Sequence, residues 1–427
     1  MTQMTRREFN ILVSTGLASL SLPSIPTFGN DHDARRDASF RIEKYHKGNL
    51  VIQVLNSDGK PIEGAQITVN MKRHSFGFGT AVAACYLAAD TGDGRAYRRI
   101  VEENFNRAVF ENDLKGREWE ISKTNRDPQF RREWTECSLA WLAERNIRCR
   151  GHHIVNARFK AREYGQFAKD PEALRRRIFA HMEDVLNTLG TRIPEWDVIN
   201  HLAVLKDTLE TVYGGPEIYA EIIKAGRNLA PQAEMWVNEG TVLSLEERRD
   251  HYENMIRYLV DAGAGPDGIG LMGHFCTPNL AQAGDVYAVL DRFAGLLPRL
   301  QITELDIRTD GDEQLQADYL REVMTTAFSH PNMESITAWG FWEGRHPCPE
   351  AALFFKKDWS SKPAGEVWRD LVFNQWWTNE KGRSDSTGQF QARGFMGDHE
   401  ITVTQAGQTK SMTALIGKED SAVTIIL

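Results

Sequence analysis

The chain has 427 residues, of which 41% are hydrophobic, and Lys+Arg 51 against Asp+Glu 59 give a net charge of −8. A single hydrophobic core stops growing near about 250–300 residues, so one large domain with a smaller one beside it is expected. The negative charge argues against nucleic acid or an anionic membrane as a partner and favours a neutral substrate.

The first 30 residues are typical of a targeting segment. The pair Arg6-Arg7 precedes an apolar stretch from Ile11 to Leu22 that is too short to span a bilayer. We expect export by a twin-arginine-type signal to the periplasm or the extracellular space, with residues 1–30 removed and no membrane anchor afterwards. The five cysteines are scattered and predict neither a disulfide framework nor a Cys-x-x-Cys metal pair.

Strand patterns occupy both ends of the remaining chain. Short alternating stretches run from Phe40 to Val69, and His399–Thr404 and Ala422–Leu427 repeat this pattern near the C terminus. Each group is too small to bury a core by itself. We therefore predict that residues 40–75 and 386–427 pair across the chain into one accessory β-sandwich.

Between residues 76 and 378, short apolar strands alternate with helical stretches. The predicted strands are Phe76–Thr80, Ala108–Glu111, Arg148–His152, Glu195–Asn200, Glu234–Asn238, Gly268–His274, Leu300–Asp306 and Ser335–Trp339. Helices predicted between them include Pro171–Leu189, Tyr219–Leu229, Leu245–Ala262 and Leu315–Ser329. This alternation predicts an α/β fold, a (β/α)8 TIM barrel. The alternative is a doubly wound open sheet, but FGFGT at 76–80 lacks the third glycine of its usual phosphate loop.

The predicted seventh strand contains QITELDI at residues 301–307, which places Glu304 and Asp306 two residues apart. Side chains alternate along a strand, so both carboxylates lie on one face. Burying two like charges together is costly unless they are paired, hydrogen-bonded or used in chemistry. A strand end with solvated acids explains this stretch equally well, so the other strand ends must decide between the two interpretations.

Hydrogen-bonding or stacking side chains stand at the ends of the predicted strands. In a barrel these ends meet at one face, where active sites are built. The candidates are Glu111, Asn112, Lys115, His152, Asn200, Asn238, His274, Glu304 and Trp339. A carboxylate with imidazole, amide and ammonium donors and a stacking indole suggests cleavage of a glycosidic bond. The histidines also allow a metal hydrolase, but no HExxH or H-x-H spacing is present, so we expect no metal and no cofactor.

Residues from about 76 to 373 resemble the catalytic domain of glycoside hydrolase family 10, whose characterised members are mainly endo-β-1,4-xylanases. The motifs that carry the resemblance are Phe105–Lys115, Arg150–His152, Trp196–Asn200, Gly268–His274, Ile302–Asp306 and Ile336–Gly340. The resemblance implies a retaining glycosidase that acts on a β-1,4-linked polysaccharide or oligosaccharide, xylan by default. Glu304 would be the nucleophile, oriented by His274 and Asp306. Asn200 would contact the sugar 2-hydroxyl, and the remaining strand-end side chains would bind substrate.

The chain departs from the family pattern at the acid/base position. His201 stands directly after WDVIN, where the family has its acid/base Glu. Further departures are Asn156 for a Trp, Gly240 for a Tyr and Met272 for a Gln. An imidazolium can donate a proton, and its reference pKa of about 6.5 lies near working pH. His201 is therefore the candidate acid/base; the alternatives are an acid that swings in, Glu239 or Glu343, and a catalytically impaired glycan-binding protein.

Overall fold

A computed structural model describes residues 32–158, 164–167 and 169–427. The twin-arginine segment, residues 1–30, lies outside these ranges, and the export signal stays a prediction. Among the described helices, none combines the length and the apolar character that crossing a bilayer requires.

The described part begins with helix α1 (His32–Tyr45), followed by strands β1 (Lys47–Leu55) and β2 (Gln66–His74). The predicted strand pattern is wrong over Phe40–Tyr45, which continue the helix. Ala38 and Ile42, four residues apart, are both buried, while Phe40 between them is 68% exposed. This spacing is that of one helix face packed against the protein, not of alternating strand faces.

The central domain is built from eight strands with helices between them. The strands are β3 (Gly77–Val82), β4 (Arg107–Phe110), β5 (Arg148–Asn156), β6 (Glu195–Asn200), β7 (Glu234–Glu239), β8 (Gly268–Cys276), β9 (Leu300–Arg308) and β10 (Met333–Ala338). The helices are α2 (Ala84–Leu87), α3 (Gly92–Asn104), α4 (Gly116–Ser122), α5 (Arg132–Glu144), α6 (Pro171–Leu189), α7 (Leu209–Tyr213), α8 (Glu217–Leu229), α9 (Arg249–Asp261), α10 (Ala283–Ala294), α11 (Glu313–Phe328) and α12 (Pro363–Asp370). The strands are parallel and close in the order β10-β3-β4-β5-β6-β7-β8-β9. The predicted TIM barrel is confirmed, and the open doubly wound sheet is excluded.

Glycines make room for large aromatic side chains inside the barrel wall. Trp196 of β6 and Trp236 of β7 are fully buried. A Cβ atom at Gly151 would lie 2.1 Å from the Trp196 ring, and one at Gly268 would lie 2.2 Å from the Trp236 ring. Glycine inside a strand commonly marks such a close approach, so these indoles are packed across neighbouring strands where no side chain competes.

The terminal strands form two small sheets. After the barrel come β11 (Asn379–Arg383), β12 (Gln389–Phe395), β13 (Gly397–Gln405), β14 (Gln408–Ile416) and β15 (Ser421–Ile426). One sheet has the order β12-β1-β15 and the other β11-β2-β13-β14. Apolar side chains from both sheets share one core, to which Ile52 and Ile401 belong. Pairing across the chain occurs as predicted, and β11, which precedes residue 386, takes part in it.

Candidate active site

Glu304 lies in the middle of β9, which continues past the predicted strand end to Arg308, and is only 5% exposed. Asn238 of β7 donates a hydrogen bond from Nδ2 to Glu304 Oε1 at 2.9 Å. His274 of β8 places Nε2 3.1 Å from Oε2, and His152 of β5 places Nε2 3.9 Å from Oε1. Asn238 and His274 therefore fix the two oxygens of this carboxylate in one orientation, with the His152 ring close by.

The charges around Glu304 keep it ionised. Burial opposes its charged form, but the His274 hydrogen bond and the charges of His152, His274 and His201 outweigh burial and lower the pKa of Glu304. Burial likewise opposes the charged form of His274, yet the carboxylates of Asp306 and Glu304 raise the pKa of His274 well above its ordinary value. The pKa of Asp306, raised by burial but lowered more by His274, falls to about 2. At neutral pH these three groups form an anion–cation–anion row.

Asn238 has no polar atom left for a ligand. Its Nδ2 also donates to Asn200 Oδ1 at 3.0 Å, and its Oδ1 accepts a 2.7 Å hydrogen bond from Thr303 Oγ1. The residue is fully buried. The predicted contact between Asn238 and substrate is therefore corrected: this amide orients Glu304 from behind, because all of its hydrogen-bonding groups face protein atoms.

A second buried network supports His152. Its Nδ1 lies 2.8 Å from Asp197 Oδ2, and Arg150 donates from Nε to Asp197 Oδ1 at 3.1 Å. Arg150 also donates to Gln301 at 2.8 Å, and Gln301 donates to Glu195 at 3.2 Å. The motif WDVIN contains Asp197, but strand ends alone gave no reason to single it out. Asp197 lies three residues before the strand terminus, inside an apolar and fully buried strand. A carboxylate in such a run needs a partner, and this is the signal that could have found it.

The side chains after β4 line one side of the cleft. Lys115 donates from Nζ to Asn112 Oδ1 at 3.0 Å. Glu111 Oε2 lies 3.0 Å from a guanidinium nitrogen of Arg345, a residue that the sequence interpretation did not select. Arg345 is in the long loop after β10, and no periodic pattern indicates where such a loop runs.

Trp339 follows β10 and packs beside the histidines that surround Glu304. Its ring lies 5.0 Å from the His152 ring and 6.3 Å from the His274 ring, edge-on to both. Asp306, which holds His274 Nδ1 at 3.0 Å, is also 3.5 Å from Nε2 of His346 in the loop after β10. The predicted strand-end set thus converges around Glu304.

His201 is held more loosely than Glu304. Its backbone has a φ of +60°, and its side chain is 26% exposed. The buried Nδ1 makes no hydrogen bond; the nearest carboxylate oxygen is Glu239 Oε1, at 3.7 Å. Glu239 itself is fully buried, accepts backbone N–H groups of Ala203 and Gly240, and lies 3.6 Å from Arg248.

Gly240 leaves space beside the imidazole. A Cβ atom there would lie 3.3 Å from Met272 Sδ and 3.8 Å from His201 Cε1. Of the two alternative acids, Glu239 is the neighbour of His201, whereas Glu343 lies 3.4 Å from Lys362. Among the described residues, no group of three or more His, Cys, Asp or Glu side chains is arranged to hold a metal ion.

A cavity of about 930 Å³ lies at the opposite end of the barrel. It is lined by Arg148 and Cys149 at the start of β5, by residues that precede β4, and by Arg73 and Asp398 of the sandwich. This end of a TIM barrel generally serves stability. The size of that cavity therefore does not make it a competing active site.

The comparison with known families agrees with this geometry. The family model described as Glycosyl hydrolase family 10 matches residues 67–370. The chain belongs to this family. The resemblance predicted from the sequence motifs is thereby confirmed.

Individual relatives of family 10 type show how far the similarity extends. Anti-sigma-I factor RsgI6 of Acetivibrio thermocellus is 31% identical over 87% of this chain and 47% of its own length. Endo-1,4-beta-xylanase 1 of Arabidopsis thaliana is 26% identical over 96% of this chain and 42% of its own length. The chain thus spans about half or less of the length of these curated relatives.

Solved structures confirm the fold. Xylanase 10B from Thermotoga petrophila RKU-1, in complex with xylobiose, superposes with a TM-score of 0.61 at 21% identity and covers 70% of this chain and 95% of its own. Native xylanase 10B from Thermotoga maritima gives a TM-score of 0.60 at 21% identity, with 70% and 96% covered. The family 10 barrel is therefore present nearly whole.

Proposed function

We propose that the protein is a retaining glycoside hydrolase that cleaves β-1,4-linked polysaccharide, with xylan as the default substrate. Membership in family 10 and the relative named endo-1,4-beta-xylanase support this substrate class. The observation that carries the mechanism is the ionised, doubly held carboxylate of Glu304. A carboxylate in this state can attack an anomeric carbon without first losing a proton.

The reaction takes two displacement steps. In the first, Glu304 bonds to the anomeric carbon while the leaving oxygen takes a proton from an acid on the other side of the bond. In the second, water attacks the anomeric carbon and displaces the Glu304 carboxylate, while the same group, now a base, removes a proton from that water. His274 and Asn238 stay hydrogen-bonded to Glu304 as its charge is consumed and restored, so no side chain has to reorient.

We assign the acid/base role to His201. Its buried Nδ1 faces the Glu239 carboxylate at 3.7 Å, which leaves Nε2 as the ring nitrogen that exchanges a proton with substrate or water. A carboxylate at this distance attracts the imidazolium that forms during turnover and so stabilises it. Glu239 is the partner in this arrangement.

Replacement of Glu304 tests the proposal. Glu304→Ala and the isosteric Glu304→Gln should both lose hydrolysis of xylan and of aryl xylosides. A 2-deoxy-2-fluoro xyloside with a good leaving group should label the native protein at Glu304, detected by peptide mass spectrometry. Unchanged hydrolysis in either variant, or a label on another residue, would remove the assignment.

The second candidate function is a glycan-binding protein with impaired chemistry. Its support is the His in the acid/base position and the 31% identity to a protein named as an anti-sigma factor rather than a hydrolase. Calorimetric titration with xylo-oligosaccharides beside a turnover assay separates the two functions. Tight binding with no turnover of natural polymer favours the binding protein, whereas measurable turnover excludes it.

We also propose export through the twin-arginine-type segment at residues 1–30, because the Arg pair precedes an apolar stretch. Replacing Arg6 and Arg7 with Lys should retain the protein in the cytoplasm, as fractionation would show. Unchanged export of that variant would contradict the proposal.

A further inference from the structure

A second cavity, of about 820 Å³, adjoins the candidate cleft on the side of Glu111. The side chains that matter for its chemistry are Tyr86, Asp113, Phe130, Trp134, Arg345 and His346. Arg345 also pairs with Glu111 at 3.0 Å, and Glu111 lines a small space together with Trp339. Arg345 and His346 line both the cavity and this small space, so they connect the cavity to the cleft.

Aromatic rings form one wall of the cavity. Tyr86, Phe130 and Trp134 are each half-buried, so they keep part of their surface free. Tyr86 packs edge-on against Trp342 at 5.4 Å, and the Arg131 guanidinium lies over the Trp134 ring at 4.3 Å. Rings that are held in place on one side and half-exposed on the other offer a flat apolar surface at little cost in side-chain entropy.

Most charges around the cavity are matched within the protein, and Lys357 adds one cation to its lining. The pairs are Arg345 with Glu111 at 3.0 Å, His346 with Asp306 at 3.5 Å and Glu343 with Lys362 at 3.4 Å. Burial raises the pKa of Asp113 to about 7, so this carboxyl is partly protonated near neutrality and can donate a hydrogen bond. A charged ligand would find little unmatched charge here, whereas a hydroxyl-rich neutral ligand would find donors, acceptors and ring faces.

The size of the cavity also fits a ligand. Small-molecule sites commonly enclose about 300–1,000 Å³ and combine apolar walls with a few polar groups. The described volume and lining have both properties. Packing alone does not explain the arrangement, because three aromatic side chains that served only the core would be covered by it.

We propose that this cavity is a second carbohydrate-binding subsite, which holds neutral pyranose units of a glycan that also occupies the cleft. The ligand extends from Glu304 past Trp339 and Glu111 and then meets Tyr86, Phe130 and Trp134. The subsite rests on the proposed carbohydrate function of the cleft. It makes the protein select for long chains over short ones.

The test compares two tryptophans on the same helix. Trp134 and Trp141 both lie on α5, and each carries an arginine over its ring at 4.3 Å, but only Trp134 lines the cavity. Kinetics on β-1,4-xylohexaose and on an aryl xyloside give the ratio of the two kcat/KM values. Trp134→Ala should lower this ratio about tenfold, the effect of losing one well-packed aromatic contact, whereas Trp141→Ala should keep the native ratio.

Equal ratios in the two variants would overturn the subsite. If Trp134→Ala proves unstable by thermal melting, Phe130→Ala on the loop before α5 replaces it, with the same expected fall in the ratio. If the native protein shows no turnover, calorimetry with xylohexaose and xylobiose takes the place of kinetics. A loss of xylohexaose affinity in Trp134→Ala alone would then support the subsite although hydrolysis had failed, and no loss would refute it.

Discussion

Glu304 and His201 belong to one cleft but are held in contrasting ways. Glu304 has a partner on each oxygen within 3.1 Å, and a further imidazole at 3.9 Å. His201 has an unpaired buried nitrogen and a carboxylate at 3.7 Å. Gly240, one of the departures from the family motif, lies beside His201 rather than beside Glu304. The side of the proposed nucleophile, Glu304, is preorganised, whereas the side of the proposed acid/base, His201, keeps freedom to move.

The largest loss of activity is expected from replacing Glu304, the preorganised residue of the pair. Glu304→Gln keeps the size and hydrogen-bonding capacity of the side chain but cannot form the glycosyl bond, so kcat on aryl xylosides should fall about 10⁴-fold or more. Thermal melting should show a folded protein. Activity within tenfold of native would show that Glu304 is not the nucleophile.

Replacing His201, the more loosely held residue, should slow the reaction by a factor that depends on the leaving group of the substrate. His201→Ala should slow cleavage of natural polymer about 10²–10⁴-fold, because its leaving group needs a proton, and should spare aryl glycosides with acidic leaving groups. Steady-state rates across a series of aryl xylosides measure this dependence.

His201→Glu then sharpens the interpretation of that result. A large gain on polymer alone would show that the imidazole is a poor substitute for a carboxylic acid. Loss of activity in His201→Glu would show that the imidazole is the working acid. Equal slowing of all aryl xylosides by His201→Ala would contradict both readings, since it would place His201 outside proton transfer.

A smaller effect is expected from Glu239→Gln. The change removes the charge that faces His201 Nδ1. The single amide oxygen keeps one of the two backbone contacts, because Ala203 and Gly240 donate to different oxygens of Glu239. Rates on poor leaving groups should fall roughly 10–100-fold, the range seen when a group that orients an active-site ligand is lost. A purely structural role would lower the rates on good and poor leaving groups equally, and the exposed Glu247→Gln serves as the control.

The smallest effect on turnover, but a clear one on stability, concerns Asp306. His274 has its pKa raised in the folded state, so its contribution to stability is complete below about pH 6.5 and is lost as pH rises through the raised pKa. In Asp306→Asn the stability contribution of His274 should be lost at lower pH. Burial lowers the pKa of His274, and only the Glu304 carboxylate would then remain to raise it. Urea unfolding at pH 6 should show a decrease of about 3 kcal/mol in the variant.

The contribution of Asp306 to stability depends on pH in the opposite direction to that of His274. Asp306 has its pKa lowered to about 2, so its contribution is present above about pH 4 and is lost as pH falls through about 2. The control is Asp318→Asn, an exposed carboxylate on α11. Identical pH dependence of unfolding in native protein and Asp306→Asn would contradict the ion row around His274.

The barrel was predictable because each strand carries its own local signal. Apolar runs such as EWDVIN and QITELDI are buried and bounded by turns, and their carboxyl ends converge once eight of them close. The approach of Glu304 to His274 and Asp306 follows from that closure. Helix α1 was missed because its apolar residues are few, and only the burial of Ala38 with Ile42 reveals the helical face.

Contacts made by loops were not predictable. Arg345 and His346 lie in the loop after β10, and their pairing with Glu111 and Asp306 depends on a path that no periodicity encodes. The role of Asn238 was also misjudged, since a strand-end amide can face either the ligand or its neighbours. Only the positions of Asn200, Thr303 and Glu304 show that all of its hydrogen-bonding capacity is already used.

The pairing of the two chain ends has a consequence for biosynthesis. Gln53 of β1 hydrogen-bonds Thr387, 334 residues later, and β1 also pairs with β15. A ribosome adds about 5–20 residues per second, so β1 and β2 wait roughly 20–70 seconds before their partners emerge. Unpaired strand edges can pair with other chains and aggregate during that interval. The N-terminal strands of the nascent chain are therefore a segment that a chaperone would protect.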